Sequence, residues 1–386
     1  MTDEALLHGT TALHDFDAAW QGGGAGMGGH GRRLRALRLA AERVRDRFAS
    51  GPRVVSVRTM NQTTAPYPTK YAFFGAALSP APFVNLTHRC VLVQFLQRGA
   101  LKNLLFNPTD VEAARNTPYF ARLIEQFKLL PESLLATRYD DVEVQLARWG
   151  ITPADIDYVA FDHFHIQDLR SLLGTQGGDR APRFPNATLL APKTEWDDWD
   201  DLHPLQQAFF IRDGKKGVRE DRVAFIAGDL LLGDGLMLVR TPGHTCGNQT
   251  LFLNTDSGVW GISENGTCVD NWSPLESSIK GLASTCRKQD LDIILNSNTP
   301  EAAAEQYASM VLERTIVDRV KRAPAFVQMF SSSEVTPTLI APALTPTVLH
   351  VAITSGDVAK PSQRMISTGA LGAGGGGAWR PSLNNQ

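Results

Sequence analysis

The sequence has few cysteines, no long apolar run and no surplus of either charge. Its four cysteines in 386 residues form no CxxC pair, which disfavours a disulfide scaffold and a zinc ribbon. There is no run of about 18 apolar residues and no basic-then-apolar N-terminus, so the pattern predicts neither a membrane span nor a signal peptide. Thirty-eight basic side chains against forty acidic ones lack the basic surplus of a general nucleic-acid binder. We therefore expect a soluble, reduced, cytoplasmic protein with no nucleic-acid or membrane partner.

Hydrophobic residues make up 43% of the chain, enough to build one large or two ordinary domains. Three regions are predicted: 1–50, a flexible arm plus a basic amphipathic helix; 51–330, the main folded domain; and 331–386, a C-terminal extension with a glycine-rich flexible tail. The glycine-rich run Gln21–Gly31 favours flexibility. The helix, Arg32–Phe48, has its basic face interrupted by Glu42 and Asp46. We expect it to pack on the domain or on a second copy in a homo-oligomer rather than on a membrane surface.

Short β-rich runs alternate with longer helical patterns between these ends. The predicted strands are Val54–Val57, Cys90–Phe95, Leu104–Phe106, Tyr158–Phe161, one within Phe184–Pro192, Val223–Ile226, Leu236–Arg240, Thr250–Leu253, Val259–Ile262 and Leu291–Leu295. The predicted helices are Val111–Leu130, Glu132–Trp149, Leu275–Arg287 and Glu301–Arg322. Two successive sets of strands and helices indicate an α/β (α+β) fold in which two sheets pack face to face with helices outside, an αββα sandwich.

The string DHFHIQD directly follows the apolar strand YVAF. Residues two apart in extended chain point to the same side, so His163 and His165 project together and can share one cation. Asp168 begins the next element. The alternative is a pair of surface histidines on a loop, and an HxH motif alone does not decide between the two.

A second string, TPGHT, again directly follows an apolar strand, LMLVR. Proline and glycine favour a tight turn that presents His244 at the strand end. The alternative is a histidine that caps a backbone carbonyl. Only nine histidines occur in the chain, and the placement of three of them at strand ends favours the metal hypothesis.

Two further polar positions follow apolar runs. Glu264 stands where GVWGI gives way to a glycine turn, and Asn298 lies in NSNTP after LDIIL. A solvated turn glutamate and ordinary asparagine turn chemistry are the alternatives. Cys246 and Cys268 lie near His244 and Glu264 in sequence, where we expect packing rather than ligation.

Taken in order, AFDHFHIQD, RTPGHT, GISEN and NSNTP resemble the motifs of the metallo-β-lactamase-fold superfamily over about residues 85–300. RTPGHT after a strand is the most specific part of the resemblance. In that family one ion is held by the first two histidines of HxHxDH and the histidine of the PGHT loop. The resemblance therefore implies that His163, His165 and His244 are metal ligands, with Glu264 as a further or bridging carboxylate.

The positions that hold the family's second ion are altered. Its aspartate and histidines read Gln167, Asp168 and Asn298, and the early aspartate loop reads Asn107-Pro108-Thr109. Amides are weak ligands for transition metals. We therefore predict one firm metal, with a second ion near Asp168 and Asn298 loose or absent.

Three neutral imidazoles with a carboxylate suit Zn²⁺, and also Fe²⁺ or Mn²⁺. Such a cation lowers the pKa of bound water to about 7 and supplies hydroxide. Because glutamine cannot act as a base, Asp168 or Glu264 is the predicted catalytic carboxylate. The first hypothesis is a metal-dependent hydrolase of an ester, lactone, ether or activated aryl substrate. The others are a mononuclear or dinuclear non-haem iron oxygenase and a degenerate, non-catalytic subunit.

The sequence gives few indications of the substrate. Thr59–Phe83 and Thr194–Phe210 are aromatic-rich segments that we predict to form lids. The aromatic residues of interest are Trp196, Trp199, Phe209, Phe210, Trp260 and Trp272. As a set they favour a small, apolar or aromatic substrate, although for each one a place in the core is the simpler interpretation.

Overall fold

A computed structural model describes residues 7–22, 29–131, 133, 135–338 and 341–360 of the chain. Most of the glycine run predicted to be flexible, and all of the tail predicted after about Gly369, lie outside the described residues. Among the residues described, no helix combines the length and apolarity needed to cross a bilayer.

Seventeen strands and eleven α-helices form within this part of the chain. The strands are β1 (Thr11–Leu13), β2 (Ser56–Pro68), β3 (Phe83–Gln97), β4 (Ala100–Phe106), β5 (Thr137–Arg138), β6 (Tyr158–Ala160), β7 (Thr188–Pro192), β8 (Val223–Ile226), β9 (Asp229–Gly233), β10 (Leu236–Arg240), β11 (Gln249–Thr255), β12 (Gly258–Ser263), β13 (Arg319–Val320), β14 (Ala323–Val327), β15 (Met329–Ser331), β16 (Ser333–Thr336) and β17 (Thr354–Ser355). The helices are α1 (Asp17–Trp20), α2 (His30–Ser50), α3 (Thr69–Ala72), α4 (Val111–Ala114), α5 (Pro118–Gln126), α6 (Val142–Ala147), α7 (Leu169–Leu173), α8 (Lys193–Asp198), α9 (Val269–Trp272), α10 (Leu282–Gln289) and α11 (Ala303–Ile316).

Two large sheets organise these strands. The first runs β1-β9-β10-β11-β12-β15, antiparallel except where β12 meets β15. The second runs β17-β2-β3-β4-β6-β7-β8, with β16 also paired to β3 and β5 to β2. Its half from β4 to β8 is parallel, and parallel strands carry their C-terminal loops to a common edge. The loop that contains the HxH motif begins at that edge, after β6.

The alternation of strand β10 shows why the sheets pack face to face. Leu236 and Leu238 join a buried cluster with strands of the second sheet, whereas Met237 and Val239 face a different cluster that includes helices α2 and α11. Successive side chains of a strand point to opposite faces, so a strand that is apolar on both faces must be covered on both. Helices α6, α7 and α8 cover the outer face of the second sheet in the same way. The predicted αββα sandwich is confirmed.

The basic helix predicted at Arg32–Phe48 is present as α2. Its apolar face, including Leu37, Val44 and Phe48, is buried in the cluster shared with α11. Four of its arginines pair with acidic residues elsewhere in the chain: Arg33 with Glu305, Arg38 with Asp292, Arg45 with Asp318 and Arg47 with Asp15. The helix therefore packs on its own domain, one of the two placements that we predicted. A homo-oligomer stays a prediction.

The prediction of two long helices after β4 was wrong. Val111–Leu130 is split into α4 and α5 because Thr117 caps a new helix and Pro118 lacks the N–H that a continuous helix needs. Among the described residues of the predicted helix Glu132–Trp149, the α-helical part is α6, and Thr137–Arg138 pairs with β2 instead. Gly150 follows with a φ of +72°, where glycine has no steric penalty.

Smaller corrections lie towards the C-terminus. Leu291–Leu295 is buried from Ile293 onward but forms no strand, because the backbone N–H groups of Leu291 and Ile294 bond to Cys286 of α10 and Asn271 of α9 rather than to a neighbouring strand. Helix Leu275–Arg287 begins only at Leu282, and Glu301–Arg322 shortens to α11. Strand β9 was not predicted. The domain division at residue 330 stays a prediction, although β15 lies in the first sheet and β16 and β17 lie in the second.

Candidate metal centre

Three histidines from two strand ends meet in the interior. His163 and His165 follow β6, and His244 follows β10. One nitrogen of each lies within 4.8 Å of the others, and the ring centroids are 4.6 to 4.9 Å apart. The three residues are between 2% and 8% exposed. Among the described residues this is the one group of three or more such side chains that is close enough to hold a metal ion.

The ring of His163 is held by Asp162. The Nδ1 of His163 lies 2.7 Å from Oδ1 of Asp162, which also accepts the backbone N–H of His163. The other oxygen of Asp162 accepts hydrogen bonds from Asn107 and Ser332. Burial raises the pKa of Asp162, but His163 and these hydrogen bonds outweigh burial and hold it below its ordinary value. A charged carboxylate at Nδ1 leaves Nε2 of His163 available to a metal.

The ring of His165 is held by a different partner. Its Nε2 lies 2.5 Å from Oε1 of Gln206. The rings of Phe209 and Phe210 lie 5.1 and 5.0 Å from it. Ile166, next in the chain, has a φ of +61°, an uncommon conformation for a β-branched residue. Local strain of this kind often occurs where a site is held in a specific geometry.

His244 sits on a loop that packs tightly against helix α11. Gly243 has a φ of +139°, and a Cβ there would collide with the backbone of Gln306, so only glycine fits. The carbonyl of His244 accepts a hydrogen bond from Thr299 at 2.6 Å and one from Gln206 at 3.0 Å. Its Nδ1 is buried and has no hydrogen-bond partner.

The two histidine loops are tied together by Glu195 of α8. Its carboxylate accepts the backbone N–H of Phe164 at 2.6 Å and the hydroxyl of Thr245. Glu195 is 1% exposed, and burial raises its pKa to about 7. A single buried carboxylate therefore fixes the loop between His163 and His165 relative to the loop that carries His244.

Asp168 does not join the three histidines. Both of its oxygens accept bonds from Arg170, at 2.8 and 2.6 Å, and Arg180 adds a contact at 3.3 Å. It also accepts the backbone N–H of Arg170 at the start of α7. The predicted catalytic base thus serves as a helix cap and ion-pair partner.

Glu264 and Asn298 are buried beside the centre but outside the group of three. Burial, and then the neighbouring Asp162, raise the pKa of Glu264 well above its ordinary value. Its Oε2 and the amide oxygen of Asn298 are both buried without a hydrogen-bond partner. The preceding asparagine of the NSNTP string, Asn296, accepts the hydroxyl of Tyr67 and donates to the carbonyl of Glu264.

The other candidates have structural positions. Trp196 and Trp199 belong to the cluster outside the second sheet, and Trp272 belongs to the cluster outside the first. Trp260 stacks edge-on against His350. Neither Cys246 nor Cys268 belongs to the histidine group. Thr59–Pro68 lies within strand β2, so the first part of the first predicted lid is sheet.

The residues that hold the rings were largely missed from the sequence. Asp162 lies within the DHFHIQD string but was given no role there, and neither Glu195 nor Gln206 was singled out. Glu195 lies in the acidic run TEWDDWDD and Gln206 in LQQAFF. Nothing in either string distinguishes the buried residue from its exposed neighbours. Both roles depend on tertiary contacts, which no local pattern encodes.

The site fits a cation. The donor set is three imidazoles, and burial, followed by the proximity of His163, lowers the pKa of both His165 and His244 well below the ordinary value. Neutral imidazoles are the form that binds metals. The unpartnered Nδ1 of His244 is a buried polar atom that otherwise lacks compensation.

Known proteins that resemble the chain include lactonases. No family model matches the chain. An N-acyl homoserine lactonase of Bacillus thuringiensis is 25% identical over 181 residues, which is 47% of this chain. A lactonase of Bacillus cereus is 23% identical over the same length. The match spans 64% of each lactonase, less than two thirds of its length.

Two solved structures resemble the chain. One is a probable metal-dependent hydrolase from Staphylococcus aureus, with a TM-score of 0.47 and 14% identity, covering 68% of this chain and 84% of that one. The other is a quorum-quenching N-acyl homoserine lactone lactonase, with a TM-score of 0.42 and 20% identity, covering 62% and 87%. Two face-packed sheets lie inside helices, and the HxH and PGHT loops meet at one point, so the chain has an αββα fold of the metallo-β-lactamase type.

Proposed function

We propose that the chain is a metal-dependent hydrolase that opens a lactone or cleaves an ester of a small, apolar molecule. The observation that carries the proposal is the convergence of His163, His165 and His244 in a buried site. In two of the three rings, one nitrogen is hydrogen-bonded to another side chain: that of His163 to Asp162 and that of His165 to Gln206. Such engagement fixes ring orientation and favours metal binding.

The three histidines would hold one divalent cation, for which three imidazoles favour Zn²⁺. When bound, such an ion polarises a carbonyl oxygen and makes water acidic enough to react at neutral pH. A second tightly held ion is not part of the proposal. Gln167 donates to Thr109, Asp168 is engaged by Arg170 and Arg180, and Asn298 offers only an amide.

Glu264 is the proposed proton-holding group. Its pKa is raised well above the ordinary value by burial and by Asp162, which favours the protonated acid. The unpartnered Oε2 can then donate a proton to the departing alkoxide of a lactone or ester. We leave Asp168 out of the reaction because its oxygens are bonded to arginines.

An aromatic wall beside His165 supports an apolar substrate. Phe209 lies 5.1 Å from the ring of His165, and Tyr119 of α5 lies 5.4 Å from Phe209. The hydroxyl of Tyr119 is buried and has no partner, so it is available to a carbonyl or amide of the substrate. The curated relatives are named for N-acyl homoserine lactones, which combine a lactone with an apolar acyl chain.

The alternatives have less support. A mononuclear non-haem iron oxygenase commonly presents two histidines and a carboxylate, whereas no carboxylate among the described residues belongs to this group. A degenerate, non-catalytic subunit has no need for three buried imidazoles with organised outer partners, which cost desolvation free energy.

The test is a substrate panel on the full-length protein, purified metal-free and then loaded with Zn²⁺, Mn²⁺ or Fe²⁺. N-acyl homoserine lactones of increasing chain length, simple γ-lactones and aryl esters are followed by acid release, with O₂ uptake recorded in parallel. We expect zinc-dependent acid release without O₂ uptake. Metal-dependent O₂ uptake, or no turnover of any member by any form, would overturn the proposal.

A further inference from the structure

Gln206 contacts three separate parts of the candidate metal centre. It is 6% exposed and lies between α8 and β8. Its Oε1 lies 2.5 Å from Nε2 of His165, while its Nε2 reaches the carbonyl of His244 at 3.0 Å and Oε1 of Glu301 at 2.5 Å. Trp199, His203 and Gln207 of the same segment form their side-chain hydrogen bonds with other partners, so Gln206 supplies the hydrogen bond to the ring of His165.

These contacts determine which end of the Gln206 amide faces His165. A backbone carbonyl can only accept a hydrogen bond, so the group that faces the carbonyl of His244 must be the amide N–H₂. The oxygen then faces His165, and an amide oxygen can only accept. Nε2 of His165 must therefore carry the proton, which leaves the lone pair on Nδ1.

We propose that Gln206 is a positioning residue of the metal centre that holds His165 in the Nε2–H tautomer, so that Nδ1 is the metal-binding nitrogen. The inference rests on the proposed metal site but not on the proposed substrate. It parallels the contact between Asp162 and Nδ1 of His163, which leaves the opposite nitrogen free. The two neighbouring histidines thus present different nitrogens to the same point.

The same segment covers the centre. Phe209 and Phe210 pack on the ring of His165, and the carbonyl of Phe209 accepts the backbone N–H of Ile166 at 2.7 Å. This segment therefore brings both Gln206 and the aromatic wall to His165.

The first test needs no substitution. ¹⁵N NMR of the histidine rings in the full-length, metal-free protein at pH 7.5 reports which nitrogen of His165 is protonated. We expect a proton on Nε2 before zinc is added, and zinc bound through Nδ1 afterwards. A proton on Nδ1 in the metal-free protein would overturn the proposal, whether or not any variant folds.

The second test compares two neighbouring glutamines. Gln206→Leu removes the acceptor, and we expect the dissociation constant for Zn²⁺ to rise about 10- to 100-fold, with a changed d–d absorption spectrum of the Co²⁺ form and a mixed His165 tautomer. Gln207→Leu is the matched control, because Gln207 is exposed and bonds only to the carbonyl of Leu202. It should leave all three readouts unchanged.

An unchanged zinc affinity and tautomer in Gln206→Leu would overturn this inference and leave the hydrolase proposal intact. Zinc binding as expected, with no lactone or ester turned over, would overturn the hydrolase proposal alone. A wild-type protein that binds no zinc would overturn both.

Discussion

The two halves of the candidate site differ in how their polar groups are satisfied. On one side, three imidazoles converge and His244 keeps a buried nitrogen without a partner. On the other side, where the family resemblance implies a second ion, Thr109 bonds to both His88 and Gln167. Buried polar groups that lack protein partners require another ligand, whereas groups that bond to one another do not.

This difference fits the prediction of one firmly held ion. Where the resemblance implies ligands of a second ion, Gln167 donates to Thr109, and the charge of Asp168 is paired with Arg170 and Arg180. Two amide oxygens, of Gln167 and Asn298, remain unpartnered. As neutral groups they cost less to bury than a carboxylate would.

The largest effect is expected on the imidazole side. His163→Ala removes one of three ligands, and we expect loss of bound zinc and a fall in kcat/KM of at least about 1000-fold, with an unchanged circular dichroism spectrum. Elemental analysis and acid release measure the two effects. His14→Ala is the control, because His14 is largely exposed and lies outside the group. Zinc retained by His163→Ala at the wild-type level would contradict this assignment.

The next effect separates proton transfer from metal binding. Glu264→Gln keeps the size and an N–H donor but cannot release a proton, so we expect kcat to fall about 100- to 1000-fold while the zinc content stays at one ion per chain. Pre-steady-state kinetics with a good and a poor leaving group provide the check. The loss should shrink for the good leaving group, and an equal loss for both would rule out proton donation.

The third effect is a pH dependence of stability in the metal-free protein. Glu195 has a pKa of about 7 in the fold, above the value of about 4.3 in an unfolded chain. Its contribution is fully present below about pH 4.3 and is lost as pH rises through 7, a decrease in unfolding free energy of at most about 3 to 4 kcal/mol. Urea unfolding at several pH values measures this decrease.

Glu195→Gln cannot titrate, so the part of this decrease that comes from residue 195 should disappear. The control is Glu220→Gln, because Glu220 is exposed and lies in the turn before β8, outside the sequence of both histidine loops. The same slope in Glu195→Gln as in the wild type would show that another group is responsible.

The smallest effect is expected from substitutions at the positions where the family resemblance implies a second ion. The double substitution Gln167→Asp and Asn298→His restores a carboxylate and an imidazole but leaves Asp168 as the cap of α7. We expect zinc stoichiometry to rise above one per chain at saturating zinc, with activity changed less than about tenfold. Gln167→Asn is the matched control, and a stoichiometry that stays at one would show that the hydrogen-bonded half cannot be converted by two residues.

The fold was largely predictable because the periodicity of the apolar residues indicates the αββα layers. Strands such as β10 alternate between two buried faces, and the period alone indicates a sheet covered on both sides. The failures lie where one residue breaks a long pattern. Pro118 interrupts an apolar helical period that otherwise continues through the segment, and a period count is insensitive to a single missing N–H.

The convergence of the three histidines was predictable for a related reason. His163, His165 and His244 each follow a strand directly, and strand ends meet at an edge. Asp168 illustrates the limit: its place in the motif implied a base, but Arg170 and Arg180 determine its role. The same limit applies to Gln206, which differs from the exposed Gln207 only by what the folded chain brings against it.

The bond from Ser332 to Asp162 joins positions 170 residues apart. Because the ribosome releases the chain from its N-terminus, the carboxylate that orients His163 lacks this partner until β15 and the residue after it have emerged. A nascent chain that ends before residue 332 already contains every histidine of the centre but not this bond, so we expect zinc capture to be completed only late in synthesis.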